Sequence, residues 1–296
     1  MELKNWNFYY GDLEPLSCQA PCTMYSVLLD HQKIPDPFYG RNDRELTKYA
    51  EQDCTFVSEF EVGEEILNRD FAELTFYGLD TICAISLNGK PLDSVQNMHR
   101  TYTYSVKDRL IPGKNILKLE FSSPTRYFAQ RHRRHYLYTN DGDTIPGAAH
   151  LRKALYMSGW DWGPALPDMG IWRPVELRAY DTDRIREVEV RHVHHDGVVD
   201  VLISANTRQE SSCTLYASMD GKRVRLENGR AVIRIEDPQL WWVRGYGRQP
   251  LYGLDVELMD GDTVIDWHHS KSRWYDYPDR RSRNVSKIPR FHADLE

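Results

Sequence analysis

The sequence predicts an all-β protein, with a jelly-roll β-sandwich followed by an immunoglobulin-like β-sandwich. Two observations carry this prediction. Short runs of alternating apolar and polar residues recur along most of the chain, and turns rich in Gly, Asn, Asp and Pro separate them, as is typical of antiparallel sheets. The length of 296 residues reaches the roughly 250–300 residues that a single core usually fills, which favours two domains.

The first predicted domain covers residues 1–181. Two short helical segments are predicted near its start, at 24–32 and 44–50, and in the first of them Met24, Val27 and Leu28 share one helical face. Strands with period-two alternation are then predicted at 55–62, 71–77, 81–87, 100–106, 115–122 and 175–180. Asn88-Gly89, which follows the third of these strands, is the strongest short signal for a hairpin turn.

Residues 125–170 interrupt the strand pattern, and we interpret them as one functional excursion from the sandwich. Loops longer than about 12–15 residues are uncommon in compact domains and usually carry function. Near the end of the segment, Gly159 and Gly163 bracket the Trp-Asp-Trp run 160–162, and glycines permit backbone angles that other residues resist. A carboxylate between two indoles suits a sugar, whose C–H face stacks while its hydroxyls donate. The same residues also fit loop-anchoring tryptophans around a turn-capping aspartate.

The second predicted domain covers residues 182–266. Strands are predicted at 185–194, 198–205, 213–219, 223–226, 231–235 and 252–259, mostly separated by Asp-Gly or Asn-Gly turns. So many strands in about 85 residues match a small immunoglobulin-like sandwich, although the Cys…Trp…Cys signature is missing. Residues 267–296 have few aliphatic side chains and an excess of Lys and Arg, so they are predicted to form an irregular basic tail.

Composition argues against several functional classes. The chain has 38 basic and 44 acidic residues, a net charge of −6, which disfavours general binding to nucleic acid or anionic membranes. Its five cysteines are scattered without zinc-site spacing, and they are read as reduced thiols. The first residues lack a signal-peptide core, and no apolar run approaches the ~20 residues of a membrane span. We expect a cytoplasmic protein with no cofactor and with neither nucleic acid nor membrane as a partner.

Several motifs occur in the order in which one enzyme family carries them. They are Pro35-Asp36-Pro37-Phe38-Tyr39-Gly40-Arg41-Asn42, Gly78-Leu79-Asp80-Thr81, Asn97-Met98-His99-Arg100, Arg152-Lys153-Ala154, Gly159-Trp160-Asp161-Trp162-Gly163-Pro164, Gly170-Ile171-Trp172-Arg173-Pro174 and Gln249-Pro250-Leu251-Tyr252. Each motif alone is weak, whereas the ordered set is specific. Over residues 1–265 the chain resembles the N-terminal half of β-mannosidases of glycoside hydrolase family 2.

The resemblance implies a galactose-binding-like jelly roll, an immunoglobulin-like sandwich, and then a TIM barrel that carries two catalytic glutamates. In that family the Trp-Asp-Trp loop reaches the mouth of the barrel, and its aspartate helps to bind the mannosyl unit. Asp161 and Trp160 match that motif and are the implied substrate-binding residues. Arg152, Lys153 and Trp162 are implied to support the loop or the pocket wall. No residue of this chain is assigned a catalytic or metal-binding role.

The chain also departs from the family pattern. A TIM barrel takes ~250 residues, and only about 30 follow Ile265. We therefore expect a truncated or frameshifted, non-catalytic region that lacks its barrel and is inactive alone. In smaller departures, Ala20-Pro21-Cys22 stands where the family usually has Pro-Gly, Cys54 where it has Trp, and Val243 where it has Pro.

The expected function is to supply one wall of a mannoside-binding pocket and to pack against the missing barrel. Two alternatives stay open: a stand-alone carbohydrate-binding module, and a subunit-interaction module that includes a homo-oligomer. Two other clusters were weighed as sites. His192, His194, His195 and Asp196 resemble a metal cluster, and residues 131–135 resemble a phosphate-binding run. The sequence favours a solvated sheet face for the first and a charged loop surface for the second.

Overall fold

The computed structural model describes residues 1–138, 144–195, 197–208, 212–274 and 285–286. The chain forms two compact units, Met1–Asp181 and Thr182–Glu296. Antiparallel strands dominate both units, which confirms the predicted all-β fold class.

The first unit contains fourteen strands among its described residues. They are β1 Asn5–Tyr10, β2 Leu16–Gln19, β3 Cys22–Thr23, β4 Cys54–Val62, β5 Phe71–Phe76, β6 Leu79–Asp80, β7 Ile82–Leu87, β8 Lys90–Gln96, β9 Tyr102–Ser105, β10 Gly113–Phe121, β11 Ser158–Trp160, β12 Gly163–Ala165, β13 Gly170–Ile171 and β14 Val175–Tyr180. All six strands that the sequence predicts in this part of the chain are present, with ends that differ by at most two residues.

Two main sheets form the first unit. One is six-stranded, in the order β2-β1-β4-β10-β7-β8, and the other is three-stranded, in the order β14-β5-β9. A single cluster of buried side chains takes members from both sheets, for example Phe56 and Leu119 from the first and Phe76 and Leu177 from the second. The two sheets therefore enclose one core, as expected for a β-sandwich.

Alternation along β10 places a polar residue in the core, contrary to the apolar pattern that the sequence suggests. Asn115 is fully buried, whereas its neighbour Ile116 is 41% exposed. The Asn115 amide donates to the carbonyls of Ile111 and Gly113 and accepts from the amide nitrogen of Asn88. These bonds join the turn before β10 to the Asn88-Gly89 turn between β7 and β8, and they satisfy the buried amide.

Two small sheets lie beside the sandwich. In the order β3-β13-β6, Gly170 pairs with Thr23 on one side and with Asp80 on the other. The second small sheet is the hairpin β11-β12. These short strands connect the core to the Trp-Asp-Trp segment.

Helices are short in the first unit. They are α1 Met24–Asp30, α2 Asn42–Leu46, α3 Glu64–Leu67 and α4 Pro124–Arg134, with 3₁₀ turns at Thr47–Glu51, Ala148–His150 and Leu155–Met157. The predicted helices at 24–32 and 44–50 are confirmed as α1 and as α2 with the following 3₁₀ turn. Among the described residues, no helix is both long and apolar enough to cross a membrane.

Helix α4 corrects one prediction, because the sequence predicts an irregular excursion over residues 125–170 and the structure has a helix at its start. The Ser123 hydroxyl accepts from the backbone N–H of Arg126, and Pro124 occupies the first turn, which together are a strong start signal. Phe128 packs with Ala148 and Leu151 in a small separate cluster. The helix has few buried side chains, and its many aromatic and basic residues give no clear apolar period in the sequence.

The second unit consists of two four-stranded sheets. Its strands are β15 Ile185–His195, β16 Val198–Thr207, β17 Thr214–Met219, β18 Lys222–Arg225, β19 Arg230–Glu236, β20 Tyr252–Asp260, β21 Thr263–Ser272 and β22 Val285–Ser286. The sheet orders are β19-β16-β15-β22 and β18-β17-β20-β21, and one cluster of buried side chains from both sheets forms the core. The unit is a second antiparallel sandwich.

Strand β21 corrects the start of the predicted basic tail. Residues 267–272 pair with β20 instead of being irregular, and Trp274 is buried in the core of the unit. Tyr252 stacks on the Trp274 indole with ring centroids 3.9 Å apart. The rest of the predicted tail lies outside the described residues, apart from the short strand β22.

Candidate functional site

The Trp-Asp-Trp run forms a tight antiparallel hairpin. Ser158 pairs with Ala165 and Trp160 pairs with Gly163, which leaves Asp161 and Trp162 as the two-residue turn. Both turn residues are exposed. A two-residue turn between paired strands holds its side chains at a defined position, because the ladder fixes the register on either side.

Asp161 carries a carboxylate that no other described residue satisfies. Its side chain makes no hydrogen bond or ion pair with the part of the chain that the structure describes. The capping role that the local sequence allowed is therefore absent from the described contacts. An ionised carboxylate offers about four acceptor positions, and here they all face solvent.

The two tryptophans differ in their surroundings. Trp162 is 74% exposed, whereas Trp160 is half-buried, and their ring centroids lie 6.2 Å apart at an interplanar angle of 49°. Trp162 is thus a poor anchor for the loop in the core. An exposed indole beside an unpaired carboxylate presents an apolar face and an acceptor within reach of one small polar ligand.

The hairpin is held to the rest of the unit through its backbone carbonyls. Three such bonds come from residues far from the hairpin tip: Thr47 Oγ1 to Ala165 O at 2.7 Å, Ile145 N to Ser158 O at 2.8 Å, and Thr144 Oγ1 to Gly159 O at 3.2 Å. Gly159 has a φ of 110°, which only glycine adopts readily. Gly163, the other bracketing glycine, has open space where a Cβ would be, so its role is not to avoid a clash.

Lys153 lies in the core, at the base of the hairpin segment. Its ammonium donates to Asp80 Oδ2 at 2.5 Å and to the backbone carbonyl of Asp168 at 2.7 Å. The side chains of Lys153 and Asp80 are 1% and 0% exposed. Thr81 donates its hydroxyl to the other oxygen of Asp80. The lysine is therefore a structural cation that joins β6 to the segment after the hairpin.

Asp168 completes this base. Its Oδ1 accepts from the backbone N–H of Met169 at 2.8 Å and from that of Tyr25 at 3.1 Å. Burial raises the pKa of Asp168 to about 6, because it outweighs the hydrogen bonds from Thr23 and from the two backbone amides. The carboxylate thereby joins the N-terminus of α1 to β13.

Arg152 shares only its backbone with the rest of the unit. Its carbonyl accepts from the N–H of Met98 at 3.0 Å, and it forms a parallel bridge with Asn97. The Arg152 side chain is exposed and has no polar contact with the described residues. Of the two adjacent basic residues of this motif, Lys153 is therefore buried and Arg152 is exposed to solvent.

Sequence reasoning did not identify Asp80 and Asp168 as partners of this segment. Asp80 enters the sequence prediction only as part of a motif, and Asp168 does not enter it. A usable signal exists for Asp80, since it is the one charged residue in the run from Leu79 to Ile85, which is predominantly apolar. Asp168 gives no comparable signal, because aspartate after proline is common in turns.

The two competing clusters lie on other elements of the fold than the hairpin. Residues 131–134 form the last turn of α4. His192 and His194 lie on β15, and burial lowers the pKa of His192 to about 4. Within the described ranges no group of three or more His, Cys, Asp or Glu side chains is arranged to hold a metal ion. Asp196, the fourth residue of the weighed cluster, lies outside the described residues.

Comparison with family models identifies the first unit. The model described as the glycosyl hydrolase 2 galactose-binding domain-like domain matches residues 6–173. The chain belongs to glycosyl hydrolase family 2. A second model, described as glycosyl hydrolases family 2, matches residues 178–271. Both domains of the resemblance found in the sequence are confirmed.

The similar proteins include several β-mannosidases. β-Mannosidase B of Thermothelomyces thermophilus is 31% identical over 283 residues, which are 89% of this chain and 32% of that protein. The β-mannosidase of Capra hircus is 26% identical over 285 residues, which are 87% of this chain and 32% of that protein. The chain spans about a third of the length of these curated relatives.

A solved structure supports the same assignment. The crystal structure of the β-D-mannosidase of Dictyoglomus thermophilum superposes with a TM-score of 0.79 at 30% identity, and the match covers 93% of this chain and 36% of that one. The fold of this chain is thus similar to that of a region of a solved glycosidase.

Proposed function

We propose that this chain is the non-catalytic N-terminal region of a β-mannosidase-like glycoside hydrolase, in which Asp161 forms one wall of the mannoside-binding pocket. The observation that carries the proposal is the unsatisfied, exposed carboxylate of Asp161 on a firmly held hairpin. Sugar hydroxyls are donors that such a carboxylate accepts, and the C–H face of a pyranose packs on an indole. Trp160 and Trp162 supply the indoles on either side.

The proposal assigns catalysis to a different domain. Retaining glycosidases use two carboxyl groups about 5–5.5 Å apart, one as acid/base and one as nucleophile. The hairpin turn offers a single carboxylate, so it suits binding and orientation of a sugar better than cleavage of a glycosidic bond. In this proposal a TIM barrel carries the catalytic pair, and the hairpin tip projects toward it. The greater length of the β-mannosidase relatives supports such an arrangement.

A stand-alone carbohydrate-binding module is the second candidate, and the exposure of Trp162 favours it. A single wall gives a sugar few contacts, so its affinity for the isolated chain is expected to be weak. Isothermal titration calorimetry with mannose and manno-oligosaccharides separates the candidates. A clear isotherm that disappears in Asp161→Ala supports the stand-alone module, whereas a flat trace favours a wall that needs its barrel.

The test of the main proposal is complementation. The chain is mixed with the separately expressed remainder of the Dictyoglomus thermophilum β-D-mannosidase, and hydrolysis of an aryl β-mannoside is measured. We expect no turnover by the chain alone, and turnover by the mixture above that of the remainder alone. Asp161→Ala should lower the activity of the mixture on the order of 10-fold to 100-fold, as expected for a lost hydrogen bond to a charged group.

The matched control is Asp12→Ala, which removes an exposed aspartate elsewhere in the first unit. Equal activity of the two variants would contradict the role of Asp161. Turnover by the purified chain alone would contradict its non-catalytic assignment. Failure of the two pieces to associate in sedimentation experiments would contradict the packing of this region against a barrel.

A further inference from the structure

Two cysteine thiols lie in contact at one edge of the first unit. Cys18 is on β2, the edge strand of the six-stranded sheet, and Cys22 begins β3 four residues later. The Cys22 thiol donates to the Cys18 sulfur, with the two Sγ atoms 3.5 Å apart, and neither cysteine is in a disulfide. A disulfide has an S–S distance of about 2.05 Å, so closure requires a movement of roughly 1.5 Å, within the range of a side-chain rotation.

The two thiols differ in access. Cys18 is half-buried and lines an open groove of about 360 Å³ together with residues such as Asn7 and Glu59, whereas Cys22 is 7% exposed. The Cys22 hydrogen bond lowers the pKa of Cys18, because it stabilises the Cys18 thiolate more than burial destabilises it. The same hydrogen bond, with burial, raises the pKa of Cys22. An accessible nucleophile beside a shielded thiol is the arrangement of an attacking and a resolving cysteine.

We propose that Cys18 and Cys22 form a thiol–disulfide modification site that is oxidised by a low-molecular-weight disulfide such as glutathione disulfide. The Cys18 thiolate attacks one sulfur of glutathione disulfide, forms a mixed disulfide and releases one glutathione thiolate, which takes up a proton. Cys22 then loses its proton to solvent, and its thiolate attacks the Cys18 sulfur and displaces the second glutathione. Two protein thiols lose two electrons in total, and one glutathione disulfide becomes two glutathione molecules.

The cross-link would join β2, at the edge of the six-stranded sheet, to β3 of the small sheet. In β3, Cys22 pairs with Ile171 and Thr23 pairs with Gly170, and both partners belong to β13, which follows the hairpin segment. The backbone N–H of Tyr25, just beyond β3, donates to Asp168. Oxidation would therefore tie the edge of the large sheet to the small sheet that carries the base of the hairpin.

The test uses the full chain and glutathione disulfide as the probe. The reduced protein is incubated with glutathione disulfide, acid-quenched, alkylated, digested and mapped by mass spectrometry. We expect a peptide pair linked through Cys18 and Cys22, with Cys54 and Cys83 still alkylated because both are buried. Dithiothreitol should restore both thiols.

Two single variants separate the steps. Cys22→Ser lacks the resolving thiol, so it should raise the yield of the glutathione adduct on Cys18 about tenfold over the unsubstituted chain. Cys213→Ser, which removes a half-buried thiol of the second unit, should leave the cross-link unchanged. A bond between Cys22 and Cys54, separate adducts on Cys18 and Cys22, or slower oxidation of Cys18 than of Cys213 would each overturn the proposal.

Discussion

The tip and the base of the hairpin segment hold aspartates in opposite states. At the tip, Asp161 is exposed and bonds to none of the described residues. At the base, Asp80 is buried against Lys153, and Asp168 accepts two backbone amides. Removal of a charge from water costs several kcal/mol unless partners replace the lost hydration. The base carboxylates therefore have fixed partners, whereas the acceptor positions of the tip carboxylate face solvent.

The comparison extends to the two cations of the Arg152-Lys153 motif. Lys153 is enclosed and joins three backbone segments, whereas the Arg152 side chain lies in solvent. Adjacent residues of one motif can thus differ, with one side chain in the core and the next in solvent. The difference teaches that contacts, and not membership of a motif, separate structural residues from residues that remain available to a ligand.

The largest expected effect is that of Lys153→Met. The substitution leaves the buried carboxylate of Asp80 without its cation, so the free energy of unfolding of the first unit should fall by about 3–5 kcal/mol. Urea denaturation, with the first unit followed by hydrogen exchange of its own peptides, measures this loss. The control is Arg152→Met, which should stay within about 0.5 kcal/mol because the side chain is exposed. Similar losses for the two variants would remove the distinction between base and surface.

Substitution of one glycine at the base and one at the tip tests the same difference between the two regions. Gly170, between β3 and β6, has a φ of 151°, and a Cβ there would lie 2.7 Å from the carbonyl oxygen of Cys22. Gly170→Ala should therefore destabilise the first unit by about 1–3 kcal/mol, the usual cost of overpacking. Gly163→Ala, at the tip, meets open space and should change the free energy of unfolding by no more than about 0.5 kcal/mol. Thermal denaturation of both variants measures these changes. A larger loss of stability for Gly163→Ala than for Gly170→Ala would contradict the difference between tip and base.

Asp168 makes the base sensitive to pH. Its pKa of about 6 in the folded chain lies above the usual aspartate value of about 3.9, so the folded state binds a proton more tightly than the unfolded state. The resulting stabilisation is fully present below about pH 4 and is lost as the pH rises through 6. Asp168→Asn keeps an oxygen for the two backbone amides and removes this dependence.

Unfolding measured from pH 4 to pH 7 checks this prediction. Relative to Asp168→Asn, the unsubstituted chain should lose stability with rising pH at a slope of no more than about 1.4 kcal/mol per pH unit, the value for one proton. Asp12→Asn, at an exposed position, should keep the slope of the unsubstituted chain. Parallel curves for the chain and Asp168→Asn would show that burial of this carboxylate does not perturb its titration.

The sequence predicts the two sandwiches well, because the alternation of apolar and polar residues along a strand is visible within a few consecutive positions. Strand β4, for example, alternates inward-facing Phe56, Ser58 and Phe60 with more exposed neighbours. Helix α4 was missed because aromatic and basic residues hide its single apolar face. Residues 267–272 were missed because alternating polar residues resemble an irregular tail, although the pairing with β20 makes them a strand.

Some residues of the candidate site can likewise be predicted from the sequence, and others cannot. Asp161 and Trp162 could be selected from their neighbours, because glycines and a compact turn mark an exposed tip. The base could not be selected, since Lys153 meets Asp80 across 73 positions of the chain and no local pattern encodes that contact. The burial of Asn115 is a similar case in part, because one of its partners, Asn88, lies in a different turn 27 positions away.

The smallest effect on folding is expected at the tip. Asp161→Asn and Trp162→Ala remove groups that make no hydrogen bond to described residues or are mostly exposed, so each should alter the free energy of unfolding by no more than about 0.5 kcal/mol. Denaturation by urea under the conditions used for Lys153→Met provides the direct comparison. A loss above about 1 kcal/mol for Asp161→Asn would mean that the carboxylate is engaged in folding. Unchanged stability, together with lost activity in the complementation assay, would assign the carboxylate to the sugar, because the loss of activity could not then come from loss of folded protein.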